Sequence, residues 1–218
     1  MTIIKRHPIF LNFYEVCHPL IQHKLTVLRD KNTNKKDFKA LVSEISTLLV
    51  YETTKNLPIT LRTIETPLEK CECPVLAGKK PVVLAVLRAG LGMVDGFLTL
   101  MPSARVGHIG IYRDEKTFKP HLYYFKIPSH SKDRHFFICD PMLATGGSAV
   151  AAIEKLKESG VKKITLVCLV AAPEGVRKVF KTYPDVPIYA ASLDRELNKK
   201  AYILPGVGDA GDRLFGTK

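Results

Sequence analysis

A mostly parallel β-sheet flanked on both faces by helices is the fold this chain predicts, and three observations predict it. Residues 81–87 (PVVLAVL), 136–139 (FFIC) and 164–172 (ITLVCLVAA) are almost continuously apolar, as strands buried between two helical layers must be. Segments with apolar residues at helical spacing separate these runs. Glycine-bearing turns follow the first two runs, at residues 88–92 and 144–148, where strands hand over to helices. An open sheet of this kind places its ligand crevice at the carboxyl ends of the strands.

The elements follow in order. Residues 1–16 are mixed in character and are set aside as an N-terminal extension without an assignable function. Residues 18–30 predict a helix with Leu20, Ile21, Leu25, Val27 and Leu28 on its apolar stripe. A longer helix is expected over residues 37–54, with Asp37 near its start and Phe38, Leu41, Val42, Ile45, Leu48 and Leu49 at helical spacing. His18 and His23, five apart, share no face and read as packing residues. The alternation in residues 59–66 predicts a strand, with a return strand and turn over 71–78, together a β-arm.

The first central strand is residues 81–87, followed by a loop at 88–92 and a helix from Leu91 to about Leu100. Residues 105–112 give another strand with Arg113 at its end, then a polar excursion and an alternating strand over 121–127. After residues 136–139, a helix runs from Ser148 with Ala149, Val150, Ile153 and Leu156 on one stripe. The strand at 164–172 leads to a helix opened by Pro173 and Glu174, and residues 188–193 make the next strand, ending at Asp194. Residues 202–217 carry Gly206, Gly208, Gly211 and Gly216, too many for a regular element.

The 218 residues suit one domain with a real core. Apolar content of 46% and charged content of 25% exclude a disordered chain. A net charge of +12 fits a nucleic-acid partner, a polyanionic small substrate or a solvated surface. The cations are scattered in short pairs such as Lys79-Lys80 and Lys162-Lys163, which favours the surface reading. Five cysteines without a CxxC pair indicate neither a disulfide framework nor a zinc site, and they fit a reducing, cytoplasmic compartment. No leader pattern or membrane-spanning run is present.

Three stretches carry chemistry. In residues 135–159 a strand, the small residues Ala144, Thr145, Gly146, Gly147 and Ser148, and a helix N-terminus form an anion seat. No Gly-Lys-Ser/Thr follows and the G-x-G-x-x-G spacing is absent, so neither nucleotide fingerprint applies. Asp140 at the strand end can accept two hydroxyl protons while the turn takes a phosphate, which suits a phosphorylated ribose. The same residues also suit an ordinary βα turn with Asp140 as a cap. Arg88, beside Gly90 and Gly92, can present a bidentate fork to a diphosphate, or can be a surface arginine next to a flexible turn. The C-terminal glycines can expose main-chain groups to a planar base or can simply form a structural tail.

CDPMLATGGS (residues 139–148) resembles the 5-phosphoribosyl-1-pyrophosphate (PRPP) signature of the type I phosphoribosyltransferases, in the variant where Pro141 replaces the usual second acidic residue. That variant, with LRAGLGM (87–93), VAAPEG (170–175) and YILPGVGDAGDRLFGT (202–217), is similar to the uracil phosphoribosyltransferase family. The motifs arrive in family order, and the similarity runs from Cys17 to the C-terminus. The resemblance implies that Arg88, Arg113, Asp140, Pro141, Met142, Leu143, Ala144, Thr145, Gly146, Gly147, Ser148 and Asp209 bind PRPP. It implies that Ile203, Gly208, Asp209 and Ala210 hold uracil, with Asp140 and Asp209 as candidate catalytic residues.

Further expectations follow from the resemblance: Mg²⁺ brought in with PRPP and no dedicated protein metal site, and a flap near residues 114–121. The helices of residues 18–54 would help build a homodimer or higher homo-oligomer, and GTP is an effector of some relatives. The implied activity is conversion of uracil and PRPP to UMP and diphosphate in pyrimidine salvage, without a membrane or nucleic-acid partner. The rival is an RNA-binding pyrimidine-operon regulator on the same fold, which the +12 charge favours and the uracil-type C-terminal motif opposes.

Overall fold

The computed structural model describes residues 4–113 and 120–217. The chain opens with β1 (Ile4–Arg6), β2 (Phe13–Val16), α1 (Pro19–Arg29) and α2 (Lys35–Thr54), then a hairpin of β3 (Ile59–Glu65) and β4 (Lys70–Leu76). It continues through β5 (Val82–Leu87), α3 (Leu91–Leu100), β6 (Arg105–Arg113), β7 (Pro120–Lys126), β8 (His135–Cys139) and β9 (Met142–Leu143). The remaining elements are α4 (Gly147–Glu158), β10 (Lys163–Ala171), α5 (Pro173–Thr182), β11 (Ile188–Leu193), β12 (Glu196–Leu197), β13 (Ile203–Leu204) and α6 (Ala210–Phe215).

One sheet runs in the order β1-β2-β11-β10-β8-β5-β6-β7, with β9 also paired to β10. The pairings from β2 through β6 are parallel, and antiparallel β1 and β7 form the two edges. Both faces are covered, which explains the unbroken apolar runs. Val83, Ala85, Phe137, Cys139, Val167 and Leu169 join a core with α1, α2 and α3. Their neighbours Val82, Leu84, Phe136, Ile138, Leu166 and Cys168 join a second core with Ala152, Ile153 and Leu156 of α4 and Val176 and Val179 of α5. A strand's side chains alternate between faces, so two covered faces leave little room for polar residues, and Thr165, buried in β10, is hydrogen-bonded to the His135 ring at 2.8 Å.

Several sequence expectations change. Residues 13–16 are no separable extension: β2 pairs in parallel with β11, and Phe13 and Val16 are buried. They cover what would otherwise be an open β11 edge, and Ile188 N–H donates to the Asn12 carbonyl at 2.8 Å. On α1 only Ile21, Leu25 and Leu28 are buried, while Leu20 and Val27 are exposed, because the buried stripe is narrower than the apolar set. The cap of α2 is Asn34, whose side chain accepts from Asp37 N–H at 3.0 Å, so Asp37 lies in the first turn. The C-terminal segment is more regular than its glycines suggested, since it contains β13 and α6.

The predicted β-arm is present as a two-stranded sheet of its own. Every residue of β3 is exposed. The register places Ile59, Leu61, Pro74 and Leu76 on one face of this hairpin. Residues 114–119, where the polar excursion and flap were expected, lie outside the described residues. Among the described residues no helix is long and apolar enough to cross a membrane.

Candidate active site

The parallel strands end in one open crevice of about 370 Å³. Its wall is made of residues 86–89 at the end of β5, Asp140 and residues 142–149 after β8, Ile111 of β6, and residues 200–203 and 208–211 of the C-terminal segment. Segments more than a hundred residues apart in the chain therefore share one space at the carboxyl edge of the sheet.

The turn after β8 is shaped by two glycines from different elements. Gly146 caps α4 with φ +76°, a left-handed backbone that other residues adopt at a cost. A Cβ on Gly175 of α5 would lie 2.5 Å from the Ala144 carbonyl and 2.8 Å from that of Leu143, so α5 abuts the turn backbone to backbone. No side chain caps α4. Gly147 N–H makes only a long bond to Thr145 Oγ1 at 3.5 Å, and residues 146–149 line the crevice, so the helix end with partial positive charge borders it.

Asp140 stands on the wall with its carboxylate half-buried. Among the described residues Oδ1 accepts only a long bond, from Met142 N–H at 3.4 Å. Desolvation dominates over that bond and pushes the carboxyl group up to about 7. A carboxylate so short of donors is suited to accept them from a ligand's hydroxyls. Pro141, expected to contact the ligand, is not on the wall. It is buried, and its carbonyl accepts from Leu169 and Val170 N–H, each at 3.1 Å. Lacking an N–H of its own, it ties the turn to β10 instead.

Arg88 leaves the β5 turn with its side chain 56% exposed. Its guanidinium lies 3.6 Å from Asp212 Oδ1 and 5.9 Å from the Phe215 ring centroid, so it rests on α6. Gly90 makes that turn possible, since a Cβ there would meet the Cys139 carbonyl at 2.3 Å. Arg113 closes β6, and its side chain lies outside the description.

On the opposite wall, Ile203 is buried in β13, Gly208 has φ +75° and Ala210 opens α6. Asp209 caps α6 by accepting from Asp212 N–H at 2.9 Å. The sequence reading missed Lys200, Ala201 and Tyr202, which also line the crevice. Asn198 shapes them: its Oδ1 accepts from Lys200 N–H at 2.9 Å and Tyr202 N–H at 3.0 Å. An asparagine before a short polar run was the available signal.

Asp140 and Asp209 are the carboxylates on this wall. Among the described residues no group of three or more His, Cys, Asp or Glu is placed to hold a metal ion.

A helix N-terminal turn, a carboxylate and a glycine-bearing loop meet at the carboxyl ends of a parallel sheet, the arrangement that the resemblance to the type I phosphoribosyltransferases implies. The comparisons with known proteins agree and narrow the class. The model of the uracil phosphoribosyltransferase family matches residues 15–217, and the chain belongs to that family. It is 60% identical over 205 residues to the uracil phosphoribosyltransferase of Geobacillus kaustophilus, covering 94% of this chain and 98% of the relative. It is 58% identical over 204 residues to that of Clostridium perfringens, with the same coverage.

Among solved structures, a protein of Aquifex aeolicus superposes with a TM-score of 0.89 at 36% identity, covering 94% of this chain and 99% of that one. The adenine phosphoribosyl transferase of Trypanosoma brucei, solved with AMP, pyrophosphate and ribose-5-phosphate, shares the fold at TM-score 0.59 and 13% identity, covering 92% of this chain and 90% of that one. These relatives support the enzyme reading and lend nothing to the operon-regulator reading.

Proposed function

We propose that the chain transfers the 5-phosphoribosyl group of PRPP to N1 of uracil, giving UMP and diphosphate. The observation that carries this is the single crevice joining Asp140, residues 144–148, Arg88 and residues 203 and 208–210. The turn at 144–148 takes the 5′-phosphate on helix N–H groups. Asp140 accepts the ribose hydroxyls, and Asp209 stands at the ribose side of the base. Diphosphate leaves with the C1–O electron pair, leaving positive charge at the ribosyl C1 as in glycoside cleavage, and uracil N1 enters opposite it and gives up its proton, for which Asp209 is the candidate acceptor. The work of the protein is positioning and charge neutralisation.

Arg88 releases Asp212 to meet the diphosphate with its planar fork, and Arg113 adds a second cation in this reading. Mg²⁺ bound to PRPP supplies further neutralisation of the leaving group. The uracil edge offers two acceptor oxygens and one N–H donor, which fixed main-chain groups near Ile203, Gly208 and Ala210 can read. The test is a panel of nucleobases incubated with PRPP and Mg²⁺. UMP formed from uracil supports the reading, and transfer to adenine or hypoxanthine in its place refutes it.

The exposed apolar face of the β3–β4 hairpin supports a homodimer in which a second copy covers Ile59, Leu61 and Leu76. Light scattering after size exclusion reads that state directly. GTP as an effector belongs to the same proposal and is tested by calorimetric titration of the purified protein. The five cysteines, all free thiols, fit the cytoplasm as the site of action.

A further inference from the structure

Two arginines from outside the crevice hold the backbone immediately before the base wall. Asp194, at the end of β11, has a side chain only 2% exposed. Its Oδ2 accepts from Arg29 Nη1 at 2.7 Å and from Gly206 N–H at 2.9 Å. Its Oδ1 accepts from Arg29 Nη2 at 2.5 Å and from Ser192 Oγ at 2.8 Å. Arg29, the last residue of α1, also donates from Nη1 to the Gly206 carbonyl at 2.8 Å. Both polar groups of Gly206 are therefore taken by one ion pair, whose carboxylate is buried and whose guanidinium is partly exposed.

The next residue is held in the same manner. Arg213 Nη1 donates to the Val207 and Leu28 carbonyls, each at 2.9 Å, and Nη2 donates to the Asp30 carbonyl at 2.6 Å. Its guanidinium lies 4.2 Å from the Phe38 ring centroid. Gly206 and Val207 lead directly into Gly208, Asp209 and Ala210, which form the base wall. None of Arg29, Asp194 and Arg213 lines the crevice.

We propose that Asp194, with Arg29, is a positioning residue that sets where the main-chain groups of residues 208–210 stand, and so governs uracil affinity and base selectivity without touching either substrate. The inference rests on the uracil-transfer reading above and assigns the specificity of that site to α1. The physical reason is that a left-handed glycine loop has few internal bonds, so its shape is set by whatever anchors it. A bidentate pair with low exposure fixes both distance and orientation. The phosphate turn lies across the crevice and shares no bond with this pair, so the seat of the 5′-phosphate is not governed by it, and PRPP feels the pair only through Asp209.

The test compares Asp194→Asn and Arg29→Lys with the wild type. Asparagine preserves volume, and lysine preserves charge but lacks the fork. Misplaced main-chain donors are expected to raise KM for uracil about 10- to 100-fold, with KM for PRPP raised clearly less because only its contact to Asp209 moves, and the uracil-to-cytosine preference narrowed. Methylguanidinium added to Arg29→Ala should restore part of the uracil affinity. Equal shifts in both KM values, or a lower melting temperature with both KM values unchanged, would overturn the proposal.

Hydrogen exchange over residues 206–211 of the unliganded protein separates this claim from the parent reading. Faster exchange in Asp194→Asn supports the clamp whichever base is used. Unchanged exchange overturns it even if the wild type makes UMP. A wild type inactive with uracil and PRPP refutes the parent reading alone.

Discussion

The two walls of the crevice are built in opposite ways. The phosphate turn is contiguous: Asp140 and residues 142–148 lie within one strand-turn-helix unit, and the main outside contribution is Gly175 from the next helix. The base wall is assembled from a distance, with Gly206 and Val207 held by Arg29 and Arg213 and by Asp194 beyond β11. A helix N-terminus binds phosphate through backbone geometry that any strand-to-helix turn can supply. Reading one base edge against another demands donors fixed within a fraction of an ångström, which a glycine loop needs outside help to provide.

The base wall should show the largest effect. Cytosine places an amine where uracil has O4, leaving a donor unpaired, so kcat/KM for cytosine is expected to be about 10⁴-fold below that for uracil. Similar turnover of both bases in a PRPP-dependent assay would remove the distinction between the walls.

On the phosphate side, Gly175→Val drives a side chain into the Ala144 carbonyl, and neither backbone can yield cheaply. Displacement of the turn is expected to lower kcat/KM for PRPP by about 10²-fold, read by steady-state kinetics with uracil saturating. Asp140→Asn keeps the shape and the contact to Met142 N–H but loses the charge. It should raise KM for PRPP about 10- to 100-fold with KM for uracil almost unchanged, the converse of Asp194→Asn.

The smallest effect is the dependence on pH. Burial raises Asp140 to about 7 from 3.8, so its carboxylate fraction falls about tenfold for each unit below that value. KM for PRPP should therefore rise as pH falls from 8 to 6, with the Asp140→Asn profile flatter over the same range. Stability runs the other way for this group. Between 3.8 and about 7 the folded chain holds a proton the unfolded chain has released, so this contribution is present at low pH and lost as pH rises through the window. Urea midpoints of wild type and Asp140→Asn across pH 4–8 check the sign.

The contrast between the walls is also the contrast in what could be read from the chain. The strand-turn-helix at residues 135–159 was legible because each part is local: a buried run, small residues, then an amphipathic period. Arg88, Gly90 and the helix after them were legible for the same reason. Pro141 was misplaced because a motif records which residues occur together and not which way each one faces. Phe13 and Val16 were missed because only the open edge of β11, formed by residues far downstream, makes them part of the sheet. The α6 helix hid behind its glycines, and its capping by Asp209 appears only once the carboxylate and the Asp212 N–H are seen together.

Local chemistry was enough to specify the parallel sheet and the anion seat, because hydrophobic period, turn residues and helix ends act over a few positions, whereas the family came from the resemblance of whole motifs. The anchoring of the base wall and the placing of Lys200 and Tyr202 in one crevice with the phosphate turn needed the folded chain. Bonds such as Arg29 to Gly206 join residues 177 apart, and nothing near either one marks its partner.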